Sequence, residues 1–132
     1  MEATYPFSVH WSPYSVAETV QHLDAALRAK GTPVFALIDH SGEASRVGLS
    51  LADEKLLIFG DPKVGTFLMQ ENPAIGFDLP LKVLVWKDAS GSTQIAYTDP
   101  SVLKDRYHIE KNKEILEKMA HALSSLINEV IK

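Results

Sequence analysis

From Tyr5 to Trp11 apolar and polar residues alternate, with Tyr5, Phe7, Val9 and Trp11 on one side and Ser8 and His10 on the other. That is the pattern of a strand covered on one face. The period then becomes helical: Val16, Val20, Leu23 and Leu27 form one stripe, Ser15 and Glu18 suit a capping box at its start, and Gly31 ends it. A second strand is expected over residues 33–40. Residues 56–59 are continuously apolar and read as a strand buried on both faces. A short helix is expected over about 62–71, ending before Asn72-Pro73. Residues 81–87 and 93–98 form a hairpin across the loop 88–92, where Gly91 can take positive φ. The last element is a long helix from about Ile109, whose apolar band includes Ile115, Leu116, Met119, Leu123, Leu126, Ile127 and Val130.

Strand-to-helix joins occur at Ser12-Pro13, Asp61-Pro62 and Asp99-Pro100. In each, an oxygen-bearing side chain can cap the free N–H groups of a helix and the proline fills its first position. The order β-α-β-β-α-β-β-α-α with a terminal hairpin predicts an α+β fold: a single, mostly antiparallel sheet with helices packed on one face. The other face needs cover from a symmetric partner. One domain is expected over 1–132, in which 1–108 form the α+β core and 109–132 a C-terminal helix packing on that core or on a partner subunit.

Composition narrows the function classes. The 132 residues are 45% hydrophobic and 23% charged, as in an ordinary soluble domain. A formal net charge of −4 without a Lys/Arg run argues against nucleic acid. The chain has no cysteine, which removes disulfides, thiolate metal sites and cysteine nucleophiles. The N-terminal residues lack the pattern of a signal peptide, and no stretch is long and apolar enough to span a bilayer. A cytoplasmic protein without membrane partners is expected.

The motifs carry less. Gly60-Asp61-Pro62-Lys63-Val64-Gly65-Thr66 follows a strand and opens a helix, but it lacks the Gly-Lys-Ser/Thr ending of a phosphate loop, and Pro62 removes one N–H from the cradle. A weaker anion site at this helix N-terminus would be opposed by Asp61. His40 and Glu43, beside Asp39, could give two ligands to a divalent ion, the rest arriving from elsewhere. Alternatively, His40 simply ends a strand and Glu43 begins a helical turn. No Gly-x-Ser-x-Gly elbow accompanies Ser41. His40 is the best placed general acid–base by its ordinary pKa, with Asp78 or Asp99 as carboxylate partners. Asp78 is equally explained as a turn residue before Pro80, and Asp99 as a cap. Trp11 and Trp86 read as core anchors.

Four segments together resemble a known family. Phe35-Ala-Leu-Ile-Asp-His-Ser-Gly-Glu-Ala44, Leu57-Ile-Phe-Gly-Asp-Pro-Lys-Val-Gly-Thr-Phe-Leu-Met69, Asp78-Leu-Pro-Leu81 and Tyr97-Thr-Asp-Pro100 are similar to the domain of unknown function 302 family, in order over roughly residues 5 to 108. The resemblance implies a small α+β domain with a TATA-box-binding-protein-like layer fold, found as a homodimer in prokaryotes and without an assigned reaction. A fold analogy of this kind carries no DNA-binding inference. Carried over by position, the characteristic residues are His40, Gly60, Pro62, Lys63, Gly65, Asp78, Pro80, Asp99 and Pro100. The long C-terminal helix falls outside the best-matched stretch.

The expected function is binding of a small polar or anionic ligand, or a metal ion, in a cleft near His40. Lys63, Asp78, Gly60 and Gly65 complete the site, and Phe59 and Met69 give apolar walls. Which cofactor, if any, the site takes is left open by the sequence. Two other readings stand beside it: an enzyme using His40 as general acid–base with Asp78 or Asp99, and an interaction module working through an exposed patch of Ile115, Met119 and Leu126. The ligand reading requires His40 and Lys63 to meet at one end of neighbouring strands.

Overall fold

The computed structural model describes residues 5–132. Five strands, β1 (Ser8–Ser12), β2 (Val34–Asp39), β3 (Glu54–Phe59), β4 (Leu81–Lys87) and β5 (Thr93–Tyr97), form one sheet in the order β1-β5-β4-β3-β2. Every neighbouring pair is antiparallel. The helices are α1 (Val16–Ala29), α2 (His40–Arg46), α3 (Pro62–Glu71), α4 (Leu103–Arg106) and α5 (Lys113–Val130), with 3-10 turns at Pro73–Phe77 and Pro100–Val102. This is the expected α+β arrangement with a long C-terminal helix.

The capping signals hold, with one change. Asp61 accepts the Lys63 N–H and Asp99 accepts the Ser101 N–H, each with proline next in sequence. Ser12 does not cap a helix. It is buried, with its Oγ 2.7 Å from Thr19 Oγ1. The cap of α1 is Ser15, which accepts the Glu18 N–H and donates its hydroxyl to the Glu18 carboxylate, so the expected pair does meet at the helix start. In the β4–β5 loop the Asp88 carboxylate accepts hydrogen bonds from Ser90, Ser92 and Gln94, which hold its pKa down at about 2.

The apolar interior falls into two clusters. The larger joins α1 (Val16, Val20, Leu23, Leu27) to the sheet (including Leu57, Phe59, Val83, Val85 and Ile95) and to the C-terminal half of α5 (Leu123, Leu126, Ile127, Val130). The smaller gathers Leu68 of α3, Ile75, Leu103 and Ile109 on Leu116 from the N-terminal half of α5, with Leu79, Ile115 and Met119 packed against it. The final helix therefore buries its apolar band within its own chain, and Leu126 is only 3% exposed. That removes the exposed helical patch the sequence had suggested.

Among the described residues, helices cover only one face of the sheet. On the other, Leu84 lies opposite Leu56 and Ala96, Leu56 opposite Ile38, and Ala96 opposite Val9. Trp86 and Trp11 flank Gln94 in the next row. Tyr5 stacks on Phe7 at 5.1 Å and meets Trp86 edge-on at 6.3 Å. Trp11, expected in the core, is 58% exposed here. The alternation of β1 was read correctly, but its apolar side is the uncovered one. His10 faces the helices and stacks on Tyr97 with ring centroids 5.5 Å apart. Likewise β3 is buried on one face only: Leu57 and Phe59 are buried, Leu56 and Ile58 half-buried.

Candidate functional site

Antiparallel pairing decides which candidate residues meet. In the β2–β3 pair Asp39 lies opposite Lys55 and Val34 opposite Phe59. His40, following Asp39, is therefore at one end of the sheet, whereas Gly60 to Lys63, following Phe59, are at the other. Five residues of strand separate them, about 17 Å at 3.3 Å per residue. Asp78 precedes β4, whose Leu81 lies opposite Phe59, so it belongs to the Gly60 end. Asp99 follows β5, whose Ala96 lies opposite Leu84, and it too emerges at that end. His40 has neither carboxylate beside it, and His40 and Lys63 do not converge.

The polar residues at the His40 end serve local structure. Asp39 accepts the Gly42 N–H at 3.0 Å and the Ser41 hydroxyl at 2.8 Å, capping α2. These bonds, led by that from Gly42, hold the carboxyl below its ordinary value. A Cβ at Gly42 would lie 2.5 Å from Asp39 Oδ2, so a larger residue there would displace the capping carboxylate. Glu43 begins no ligand set: it pairs with Arg46 at 3.1 Å on the exposed side of α2. Among the described residues no group of three or more His, Asp or Glu side chains is placed to hold a metal ion.

Asp78 is engaged as a tie. Tyr107 donates its hydroxyl to Asp78, and Arg106 Nη1 lies 3.0 Å from Asp78 Oδ2. The Tyr107 bond first, then Arg106, hold the Asp78 carboxyl below its usual range; the same bond to Asp78 pushes the Tyr107 phenol up, against the pull of Arg106. Lys63 is exposed on the first turn of α3, its backbone N–H taken by Asp61.

What the Gly60 end does contain is a cavity of about 450 Å³. Its floor is the end of the sheet, with Phe59, Gly60 and Leu81. One wall is α3, through Val64, Gly65 and Met69; the opposite wall is α1 and α5, through Leu27, Met119, Ala122 and Leu123. Leu79 and Pro80 close one side, while Lys30, Thr32, Asp61 and Thr66 supply its polar atoms. Lys30 is paired with Glu129 at 2.8 Å in an exposed contact. Of the residues singled out from sequence, Gly60, Gly65, Phe59 and Met69 line this space; His40, Lys63 and Asp78 do not. The walls contributed by α1 and α5 went unrecognised, and the small residue Ala122 on the apolar side of α5 was the available signal.

Gly65 shapes the cavity. It sits inside α3 with no need of positive φ, and a methyl group there would meet Leu79 Cδ1 at 3.7 Å and Met69 Cε at 3.9 Å, ordinary contact distances. Neither backbone nor packing demands glycine, which is unfavourable in a helix interior by about 0.5–1 kcal/mol relative to alanine. The far end of α3 is tied down by Glu71. Its carboxylate accepts the backbone N–H groups of Glu110, Lys111 and Asn112 and the Asn112 side-chain amide at 2.7–3.1 Å. The bond from Glu110 leads the causes that lower its pKa.

Comparison with known proteins agrees with this architecture. Residues 8–126 match the family model described as Domain of unknown function DUF302. The match runs into α5, so the last helix is part of the family domain rather than an addition to it. A crystal structure of an uncharacterized conserved DUF302 protein from Bacillus stearothermophilus superposes with a TM-score of 0.83 at 20% identity, covering 98% of this chain and 100% of that one. The chain is also 38% identical over 104 residues to a Brucella suis protein named fluoride-specific ion channel FluC 1, a stretch that is 79% of this chain and 41% of that protein. Proteins named FluC 1 from Brucella abortus and FluC 2 from Brucella melitensis match at the same identity over 38% of their length. The chain thus spans about two fifths of these curated relatives, and no helix among its described residues is long and apolar enough to cross a membrane. On the extent of the family match, the chain belongs to the DUF302 family.

Proposed function

We propose that this chain is a ligand-binding domain whose site is the cavity between α1, α3 and α5, and that it binds a small molecule with a mainly apolar body. The supporting observation is that the cavity separates the two apolar clusters. Leu27, Phe59 and Leu123 on its walls belong to the larger cluster, while Leu79 and Met119 pack with the smaller. The space is a half-open cleft whose lining residues Phe35 and Met69 stay 52% and 37% exposed. Its apolar walls are left in contact with water, at a cost of about 25 cal/mol per Å² of apolar surface. An apolar ligand would cover that surface and join the two clusters. The test is native mass spectrometry of the protein as purified, with 1-anilinonaphthalene-8-sulfonate binding measured for the wild type and Gly65→Leu. A bound mass or micromolar dye affinity, lost in a Gly65→Leu protein of unchanged circular dichroism, is expected. No bound mass, together with dye binding indifferent to Gly65→Leu, would overturn the reading.

The uncovered sheet face favours a second property, assembly as a homodimer in the cytoplasm. Trp11, Tyr5 and Ile38 are exposed along a face whose centre is Leu56, Leu84 and Ala96. A two-fold partner would cover that face and leave the cavity, on the helix side, free. Light scattering should give twice the chain mass for the wild type and the monomer mass for Leu84→Asp; a wild-type monomer at high micromolar concentration defeats this reading. In the Brucella relatives we place the channel of their names in the remaining length, with the shared domain as a module working beside it.

A further inference from the structure

Resting on the ligand reading above, we infer that the ligand is a single-chain amphiphile, with a hydrocarbon chain inside the cavity and its head at the rim. The first argument is the make-up of the lining. Its polar side chains are Lys30, Thr32, Asp61 and Thr66, and the rest of the lining is leucine, methionine, phenylalanine, valine, proline, alanine and glycine. That offers few side-chain donors or acceptors to a ring heteroatom, a sugar hydroxyl or a phosphate. A polar group carried inside would lose its water without replacement, which is strongly unfavourable. Nucleotides, sugars and inorganic anions are poor occupants on this ground, and hydrocarbon is the favoured one.

The second argument concerns shape and compliance. Met69 and Met119 face the space from opposite walls, on α3 and α5. Unbranched thioether side chains re-pack around a flexible guest more readily than branched ones do. At about 30 Å³ per non-hydrogen atom, as for water, 450 Å³ holds roughly fifteen such atoms. That suits a chain of about ten to fourteen carbons whose head remains outside.

The third argument is the rim. Lys30 and Asp61 bring opposite charges to it, and both are already engaged, Lys30 with Glu129 and Asp61 with the Lys63 N–H. Charge at the head is therefore a weak determinant, and chain length a strong one.

The experiment is calorimetric titration of the full chain, below micellar concentrations, with straight-chain carboxylates of eight to fourteen carbons. Dodecyltrimethylammonium serves as the cationic counterpart and 2-naphthol as a compact aromatic probe. Affinity should rise about fourfold per added methylene and level off once the cavity is full. Dodecanoate and dodecyltrimethylammonium should agree within about tenfold, and Gly65→Leu and Ala122→Leu should each weaken both by tenfold or more. Using two variants on opposite walls guards against one of them failing to fold. If 2-naphthol binds in a Gly65→Leu-sensitive way while the chains show no length dependence, the cavity is a site but the amphiphile assignment is wrong. If neither class of probe binds, the ligand reading itself falls with it.

Discussion

The two ends of the β2–β3 pair offer a ligand opposite things. At one end Asp39, His40, Ser41 and Glu43 supply many of the groups from which catalytic and metal sites are made, yet they lie on a short exposed helix and are absorbed by a cap and a surface ion pair. At the other, Gly60, Gly65 and a set of leucines and methionines carry almost no chemistry, yet they line a half-open cleft of about 450 Å³. A concave, apolar surface, more than a set of reactive side chains, marks a binding site. On that exposed segment the Asp39 carboxylate is spent on the Gly42 N–H and the Ser41 hydroxyl and serves the start of the helix rather than a ligand.

The comparison is sharpened most by Phe59→Ala. Phe59 is 4% exposed, belongs to the larger cluster and forms part of the cavity floor. Its truncation should cost about 3–5 kcal/mol, since the cavity beside it prevents the walls from closing in. Leu37→Ala, across the sheet edge at 48% exposure, should cost far less. Urea denaturation of both variants measures the contrast; equal losses would mean that the cavity end is no better enclosed than the edge strand.

Next in size is the effect of pH on the tie that holds α3. The Glu71 carboxyl titrates below its ordinary 4.5 in the folded protein, chiefly through the Glu110 N–H. A carboxylate with a depressed folded pKa contributes stability that is present in full above its unfolded value and is lost as the pH falls through the folded one. Wild type should therefore exceed Glu71→Gln in stability at pH 7, by less than the Phe59→Ala loss. The gap should close as the pH drops below 4.5. Because Asp39, Asp78, Asp88 and Glu129 are also lowered, only the difference between the two proteins isolates Glu71. A gap independent of pH would remove the carboxylate's charge from the explanation.

A smaller effect of opposite sign is expected from Gly65→Ala. The added methyl meets ordinary contact distances, so the helix should gain about 0.5–1 kcal/mol while the cavity narrows. Higher thermal stability together with weaker probe binding is the expected pair of results. A loss of stability would show that glycine is needed there for packing, and would weaken the argument that it keeps the cavity open.

How much of this was legible in the sequence follows from what each signal encodes. Alternation along β1 and the helical stripes report that a face is apolar, and the strands and major helices were read near their observed bounds. Alternation does not say which face the helices will cover, so Trp11 reads as a core anchor although it lies, with Val9, on the open side. The helix α2 lacks any apolar stripe; Asp39 and Gly42 make it by a cap, and its pattern predicts no more than the turn at Glu43. Gly60, Gly65, Phe59 and Met69 were legible as site residues because they cluster in one segment. The opposite wall was not, because a cavity is a distance between elements, and Lys30, Leu79 and Met119 approach Gly65 only after the chain has folded. His40 drew attention through its chemistry, which sequence displays, rather than its enclosure, which sequence hides.

The smallest expected effect is therefore the most pointed. His40 stands where β2 passes into α2, half-exposed, on the opposite end of the sheet from the cavity. Its replacement by alanine should change stability by no more than about 0.5 kcal/mol, as for surface positions outside a cap or core, and should leave the affinity for dodecanoate unaltered. Calorimetry on His40→Ala beside Gly65→Leu gives the answer in one series. Lost binding in His40→Ala with the fold intact would break the comparison outright, because no chain bound beneath α3 reaches across five residues of strand. The site would then belong with Asp39, Ser41 and Glu43, and the cavity would be a gap in the core without a ligand of its own.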